Sequence, residues 1–244
     1  EGFGDVLFYN GNTKLARLRR HVRLIHQKTT LTTDSLNYDR KKNIAYYFSG
    51  GMIEDSLNTL TSRWGQYTPD NHQAIFRDEV KLVNPKFVLT ADTLGYNTET
   101  YQSDIVGPTT ILYDEETTIL STNGWYNTQT ELSMLLDRSR IIHVDGITLT
   151  GDTIYYDKAN GYGRSLGNIE STDSTNHMTL YGNVSEVWED GGRGYVTDSA
   201  MLLDWSDSTA FTYMHADTLW TEEISYPIFT LKMRDSLLVD SVMV

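Results

Sequence analysis

One nine-residue phrase returns along this chain and limits what it can fold into more than any other feature. It reads Leu31-Thr32-Thr33-Asp34-Ser35-Leu36-Asn37-Tyr38-Asp39, then Leu89-Thr90-Ala91-Asp92-Thr93-Leu94-Gly95-Tyr96-Asn97, then Leu149-Thr150-Gly151-Asp152-Thr153-Ile154-Tyr155-Tyr156-Asp157. Each copy is an aliphatic residue, Thr, a small residue, Asp, a hydroxyl residue, an aliphatic, any residue, Tyr, then Asp or Asn. Weaker copies follow the same frame at 60–67, 120–126, 196–201 and 214–219. Taken at Asp34, Arg63, Asp92, Asn123 and Asp152, the steps are 29, 29, 31 and 29 residues. The next step, to about residue 199, is 47 residues and carries Gly167-Asn168-Ile169 and Gly182-Asn183-Val184. That reads as a longer repeat with an inserted turn.

The phrase describes a bent strand. Leu89 and Ala91 alternate with Thr90 as in a half-buried strand, and Leu94 and Tyr96 resume on the opposite parity. Asp34, Asp92, Asp152 and Asp217 fall where the parity shifts, and an Asp there can accept backbone N–H groups just downstream and hold a bend. Asn10-Gly11, Asn123-Gly124, Asp145-Gly146, Asn160-Gly161 and Asp190-Gly191 predict tight reversals between antiparallel strands. No segment carries a convincing helical stripe; residues 130–140 come nearest. A single unit cannot bury its apolar face, so the units must stack. The expected architecture is all-β, a single repetitive domain over 1–244 made of an elongated, folded-over antiparallel sheet. Its interior is either fully packed or an open groove. The apolar ending Ser241-Val242-Met243-Val244 and the start at Glu1 without Met suggest a trimmed piece of a longer chain.

Composition removes several function classes. The chain has no Cys, which excludes disulfides and thiolate chemistry. Its net charge is −13, which disfavours general nucleic-acid binding. Lys14, Arg17, Arg19, Arg20, Arg23 and Lys28 crowd the first 28 residues. They read as leading basic edge strands that resist edge pairing, or as a site for an anionic partner. No apolar run reaches the length of a membrane helix.

The chemistry-bearing residues do not assemble into a signature. The recurring Asp residues could suggest calcium, but calcium repeats gather several oxygen ligands in one loop, whereas here one Asp recurs per unit. Glu54-Asp55, Asp78-Glu79, Asp114-Glu115-Glu116 and Glu222-Glu223 could suggest a glycosidase, yet adjacent acids on a strand point to opposite faces. The six His residues are scattered, and no cofactor motif is present. The apolar interior is what remains. Its candidate groove residues are Leu36, Tyr38, Ile53, Leu60, Leu82, Leu89, Leu94, Ile111, Leu120, Leu149, Ile154, Ile169 and Val184, with each buried methylene contributing about 0.8 kcal/mol toward an acyl chain.

The unit resembles the OstA/LptA-type family of lipopolysaccharide-transport proteins. The likeness rests on Thr90-Ala91-Asp92, on Tyr38-Asp39 and Tyr156-Asp157, on Gly167-Asn168-Ile169 and Gly182-Asn183-Val184, and on Leu24-Ile25-His26, over roughly residues 20 to 222. It implies a folded-over β-jellyroll whose interior shields the acyl chains of lipid A. It also implies a non-enzymatic periplasmic bridge toward the outer membrane, without cofactors, joined to other jellyroll proteins by end-to-end strand addition. The length points to a longer OstA-like variant. Two alternatives stay open: a repetitive structural or adhesive scaffold with a closed core and no lipid, and a polysaccharide-active β-solenoid enzyme.

Overall fold

The computed structural model describes residues 1–26, 28–207 and 209–222. It is an antiparallel sheet of twenty strands. In chain order these are β1 (Gly2–Phe3), β2 (Val6–Asn10), β3 (Leu15–His26), β4 (Thr29–Asp39), β5 (Ile44–Tyr47), β6 (Gly51–Glu54) and β7 (Thr59–Ser62). There follow β8 (Trp64–Thr68), β9 (Gln73–Asn84), β10 (Phe87–Asn97), β11 (Gln102–Tyr113), β12 (Thr117–Asn127), β13 (Leu132–Leu136) and β14 (Ser139–His143). The last six are β15 (Ile147–Gly151), β16 (Thr153–Asp157), β17 (Tyr162–Asp173), β18 (Met178–Trp188), β19 (Arg193–Asp207) and β20 (Ala210–Glu222). The helical structure among the described residues is one 3-10 turn, Pro69–Asn71.

The chain runs back and forth as one long meander, and every pass crosses a bend. β4 shows the arrangement: its residues 37–39 pair with β5, while its residues 30–33 pair with β6. β5 then pairs with β8 and β6 with β7. Each pass therefore gives one half to a first wall and the other half to a second. Buried clusters draw on both: Phe76 and Leu94 of the first wall pack with Leu60, Val80 and Leu89 of the second. The result is the folded-over β-jellyroll, apolar side inward.

The bend has a repeated construction. At Ala91/Thr93 the register of β10 slips against both β9 and β11, and Asp92 lies at the slip. Asp34 lies at the corresponding slip between β3 and β4, and Asp217 at that between β19 and β20. Opposite the single residue, the neighbouring strand places two. Arg20-His21, Asp78-Glu79, Asp137-Arg138 and Asp198-Ser199 all have both residues at φ between 50° and 66°. A pair of left-handed residues against one extended residue is a β-bulge that turns the strand sharply.

This construction revises two readings of the repeat. The inward residues of β12 are Ile119 and Ser121 before the bend and Gly124 and Tyr126 after it, because Ile119 faces Ile111 and Ser121 faces Thr109. The frame of this copy thus starts at Ile119, not Leu120, and the bend positions 34, 63, 92, 122 and 152 step by 29, 29, 30 and 30. The next bend is at Asn183 of β18, where the register slips between Tyr181 and Val184. Residues 198–199 belong to β19, an alternate pass, so the 47-residue step contains no inserted turn.

Asn123-Gly124 is likewise inside β12 rather than in a hairpin. Its glycine is required by close approach: a Cβ at Gly124, where φ is 150°, would lie 2.4 Å from the Met134 carbonyl oxygen. The hairpins are held by the last residue of the phrase. Asp39 Oδ1 accepts the N–H groups of Lys41 and Lys42, Asn97 Oδ1 those of Glu99 and Thr100, and Asp157 Oδ1 that of Asn160. The basic strand β3 is paired on both sides, with β1 and β2 covering its outer edge. The ending 241–244 and Glu223 lie outside the described residues.

Candidate functional site

The inward faces of the two walls carry different side chains, and cross-strand register sets them in rows. On the second wall one row runs Leu24, Leu31, Ile53, Leu60, Leu82, Leu89, Ile111, Ile119, Ile141, Leu149, each residue directly opposite the next. Ten aliphatic positions in succession form one unbroken apolar ladder. On the first wall the row nearest the bend includes Gly65, Phe76, Leu94, Ile105, Gly124, Leu135 and Ile154.

Closer to the hairpins, the first wall carries the tyrosines of the phrase. Tyr38, Tyr67, Tyr96, Tyr126 and Tyr156 share one row, separated by Ala45, Ala74, Ser103 and Ser133. Large and small residues alternate, so the tyrosines stand two strand steps, about 9.5 Å, apart. Their hydroxyls reach the turns. Tyr38 donates to Asn43 Oδ1 at 2.7 Å, and Tyr156 donates to Glu189 Oε1. Burial pushes the phenols of Tyr96 and Tyr126 above their ordinary range. Tyr156 is raised too, by burial and then by the Glu189 carboxylate. Tyrosine suits such a place, with an apolar body inward and a polar tip in the wet rim.

Two features cross the interior. Tyr47, 2% exposed, lies against both walls: a Cβ at Gly51 would meet its ring at 2.6 Å and one at Gly65 at 2.5 Å. Its hydroxyl bonds Ser62 Oγ, and burial raises it against the lowering effect of that bond. Glycine at both positions leaves the space the ring occupies. At the mouth, Lys86 from the second wall's turn lies 4.0 Å from Glu131 of the first wall's turn. Lys158 likewise sits 4.4 Å over the ring of Tyr113 on the opposite wall. Burial, then the neighbouring Lys86 charge, holds the Lys158 ammonium below its ordinary range.

The structure brings together eleven of the thirteen candidate groove residues. Leu36, Tyr38, Ile53, Leu60, Leu82, Leu89, Leu94, Ile111, Leu149, Ile154 and Ile169 share the inward face. Leu120 does not: it faces outward and is 38% exposed, because Ile119 takes the inward register. Val184 is also outward, opposite Leu166. The slip at Asn183 gives the inward place to Gly182, which faces the buried Ile169. The ladder and the tyrosine row were legible as spacings of about 29 residues, but only register shows that they face one another. Among the described residues, no group of three or more His, Cys, Asp or Glu is placed to hold a metal. Of the acidic stretches, Asp78-Glu79 forms a bulge, and Asp114 and Glu115 form a left-handed turn.

Comparison with curated proteins gives no match. Among solved structures, the chain is similar to LptH from Pseudomonas aeruginosa, described as the LptA-homologous periplasmic component of the lipopolysaccharide transport device. The identity is 15% and the TM-score 0.37, with 40% of this chain and 75% of that one covered. Against protein families, the match falls on the N-terminal part, and there the resemblance carried by the repeat is found again: residues 2–92 match the family described as OstA-like protein.

Proposed function

We propose that this is a non-enzymatic periplasmic protein that binds lipopolysaccharide, shields its lipid A acyl chains between the two walls, and passes it toward the outer membrane. The observation that carries this reading is the aliphatic ladder facing a row of tyrosines whose hydroxyls end at the rim. It offers acyl chains an apolar bed and a polar head group an amphipathic border, running the same way over many strands. The OstA-like match over residues 2–92 supports the same reading. Partners in the bridge would be other jellyroll proteins joined end to end by strand addition, for instance beside β1 and β2.

The test is a photo-crosslinking residue placed in cells at Leu94 or Ile154, with Thr90 and Arg140 on the outer faces as controls. A lipopolysaccharide adduct is expected from the inner positions alone. Silence at the inner positions, or equal labelling from the outer ones, overturns the reading.

One observation favours the closed-core scaffold instead. Tyr47 fills the space between the walls, and the Lys86–Glu131 and Lys158–Tyr113 contacts bridge the mouth. If the scaffold is correct, no amphiphile binds to the purified protein and the inner crosslinks stay silent.

A further inference from the structure

The outer face of the first wall changes character over its last strands. Tyr155 of β16, Tyr162 of β17, Trp188 of β18, Tyr195 of β19 and Trp220 of β20 form a continuous zigzag. Successive ring centroids are 6.3, 5.7, 6.0 and 4.9 Å apart. The rings face away from the interior, since their strand neighbours Ile154, Ser165 and Val196 take the buried side. Trp220 is 70% exposed. Cross-strand aromatic pairs do stabilise sheets. Sheet pairing alone, however, leaves two further features of this face unexplained.

The first is a charge pair set among the rings. Arg164 and Glu186 face one another across β17 and β18 in the same row as Tyr155, Tyr195 and Trp220. The Arg164 Nε lies 3.6 Å from Glu186 Oε1, and the Glu186 side chain is only 19% exposed. Burial, then the Glu186 carboxylate, raises the phenols of both Tyr162 and Tyr195. The second feature is a hollow of about 310 Å³ on this face, lined in part by Tyr155, Tyr162 and Arg164.

We propose that this strip binds a glycan chain. The face combines aromatic planes with a few fixed polar groups beside a shallow hollow, as ligand sites do. A sugar ring presents weakly positive C–H bonds on one face, which suit the electron-rich face of Tyr or Trp in the way a cation does. Its rim of hydroxyls needs both donors and acceptors, and Arg164 and Glu186 supply one of each. A lipid surface fits less well. It would press apolar matter onto a half-buried carboxylate and guanidinium and strip them of water. The strip is open to solvent and separate from the interior, so the proposal stands or falls apart from the reading of the groove.

The glycan could be the saccharide part of a lipopolysaccharide or a wall-type polymer, and two probes separate these. One is the lipid-free oligosaccharide released from lipopolysaccharide by mild acid; the other is a β-1,4-linked N-acetylglucosamine tetramer. Each is titrated into the full chain, with tryptophan fluorescence and calorimetry as readouts. Saturable binding of at least one probe is expected, weakened about tenfold or more by Trp188→Ala and by Trp220→Ala. Trp125→Ala, in the same row on β12 but outside the strip, should leave affinity unchanged. Absence of saturable binding by either probe, or equal binding by all three variants, overturns the proposal. So does binding to phosphatidylcholine vesicles in place of the sugars, which would make the strip a membrane contact. Thermal unfolding of Trp220→Ala separates lost binding from lost folding.

Discussion

Passes β3 to β16 and passes β17 to β20 share one bend and one alternation of register, yet on the first wall they put their bulk on opposite faces. In the earlier passes the large residues point inward: Phe76, Leu82, Leu89, Leu94, Ile105, Ile111 and Ile154 fill the space between the walls. From β17 onward the inward row of the first wall becomes Ser165, Ser185 and Val196, while the second wall's ladder is interrupted at Ser171 opposite Leu149 and resumes with Leu180 and Leu202. The aromatic bulk reappears outside, as Tyr162, Trp188, Tyr195 and Trp220. The bend and the period thus decide which positions face inward, while residue size at those positions decides whether a given stretch is a filled interior or a decorated outer wall. A meander can make that choice locally, because each strand hydrogen-bonds only to the strands beside it.

The sharpest way to break the comparison is to truncate equivalent inward residues in the two stretches. Leu94, 1% exposed, should cost about 2–5 kcal/mol as Leu94→Ala in urea denaturation. Ser165→Ala, on the same inward face, should cost about 1 kcal/mol or less. Equal losses would mean that the two stretches pack alike. Next in size is the contact of Tyr47 with its two glycines. Gly65→Ala should destabilise by about 1–3 kcal/mol through overpacking, and most of that cost should vanish in a Tyr47→Ala background. A full cost in both backgrounds would show that the ring does not set the requirement for glycine.

The corrected frame of β12 is tested by neighbouring substitutions. Ile119→Ala should lose about 1–3 kcal/mol and Leu120→Ala about 1 kcal/mol or less; the reverse order would restore the original alignment. A smaller effect is expected at the hairpins. Asn97→Ala removes two acceptor contacts at the turn and should cost about 1 kcal/mol, with β10 and β11 exchanging amide hydrogens faster. The smallest concerns acid. The Asn176 side chain, then the N–H groups of Asn176 and Thr175, hold the Asp173 carboxyl below its ordinary range. Its contribution is therefore present above the ordinary carboxyl range and is lost as pH falls through the lowered value. Asp173→Asn should flatten that part of the pH–stability curve; an unchanged curve would show that the turn does not titrate.

Much of this protein was legible in its sequence because the governing signal is local and repeated. The nine-residue phrase specified strands, a parity shift at a fixed place and an all-β stack, and it put eleven of the thirteen candidate groove residues on the inward face. Leu120 and Val184 failed for one reason. Moving the frame by one residue assigns every side chain to the other face, and Ile119 and Gly182 are equally acceptable inward residues until the partner strand is known.

The alternate passes carry no phrase at all. Their bends are spelled variously as Arg20-His21, Asp78-Glu79 and Asp198-Ser199, and only left-handed backbone geometry unites them. By itself, then, the sequence determined the period, the bent strand and the class of its interior. Tertiary structure alone decided that the tyrosines form one rim facing an aliphatic ladder, that Tyr47 spans the walls, and that the last strands turn their rings outward. Those facts depend on cross-strand register, which pairs residues far apart in the chain and is fixed only when both walls are in place.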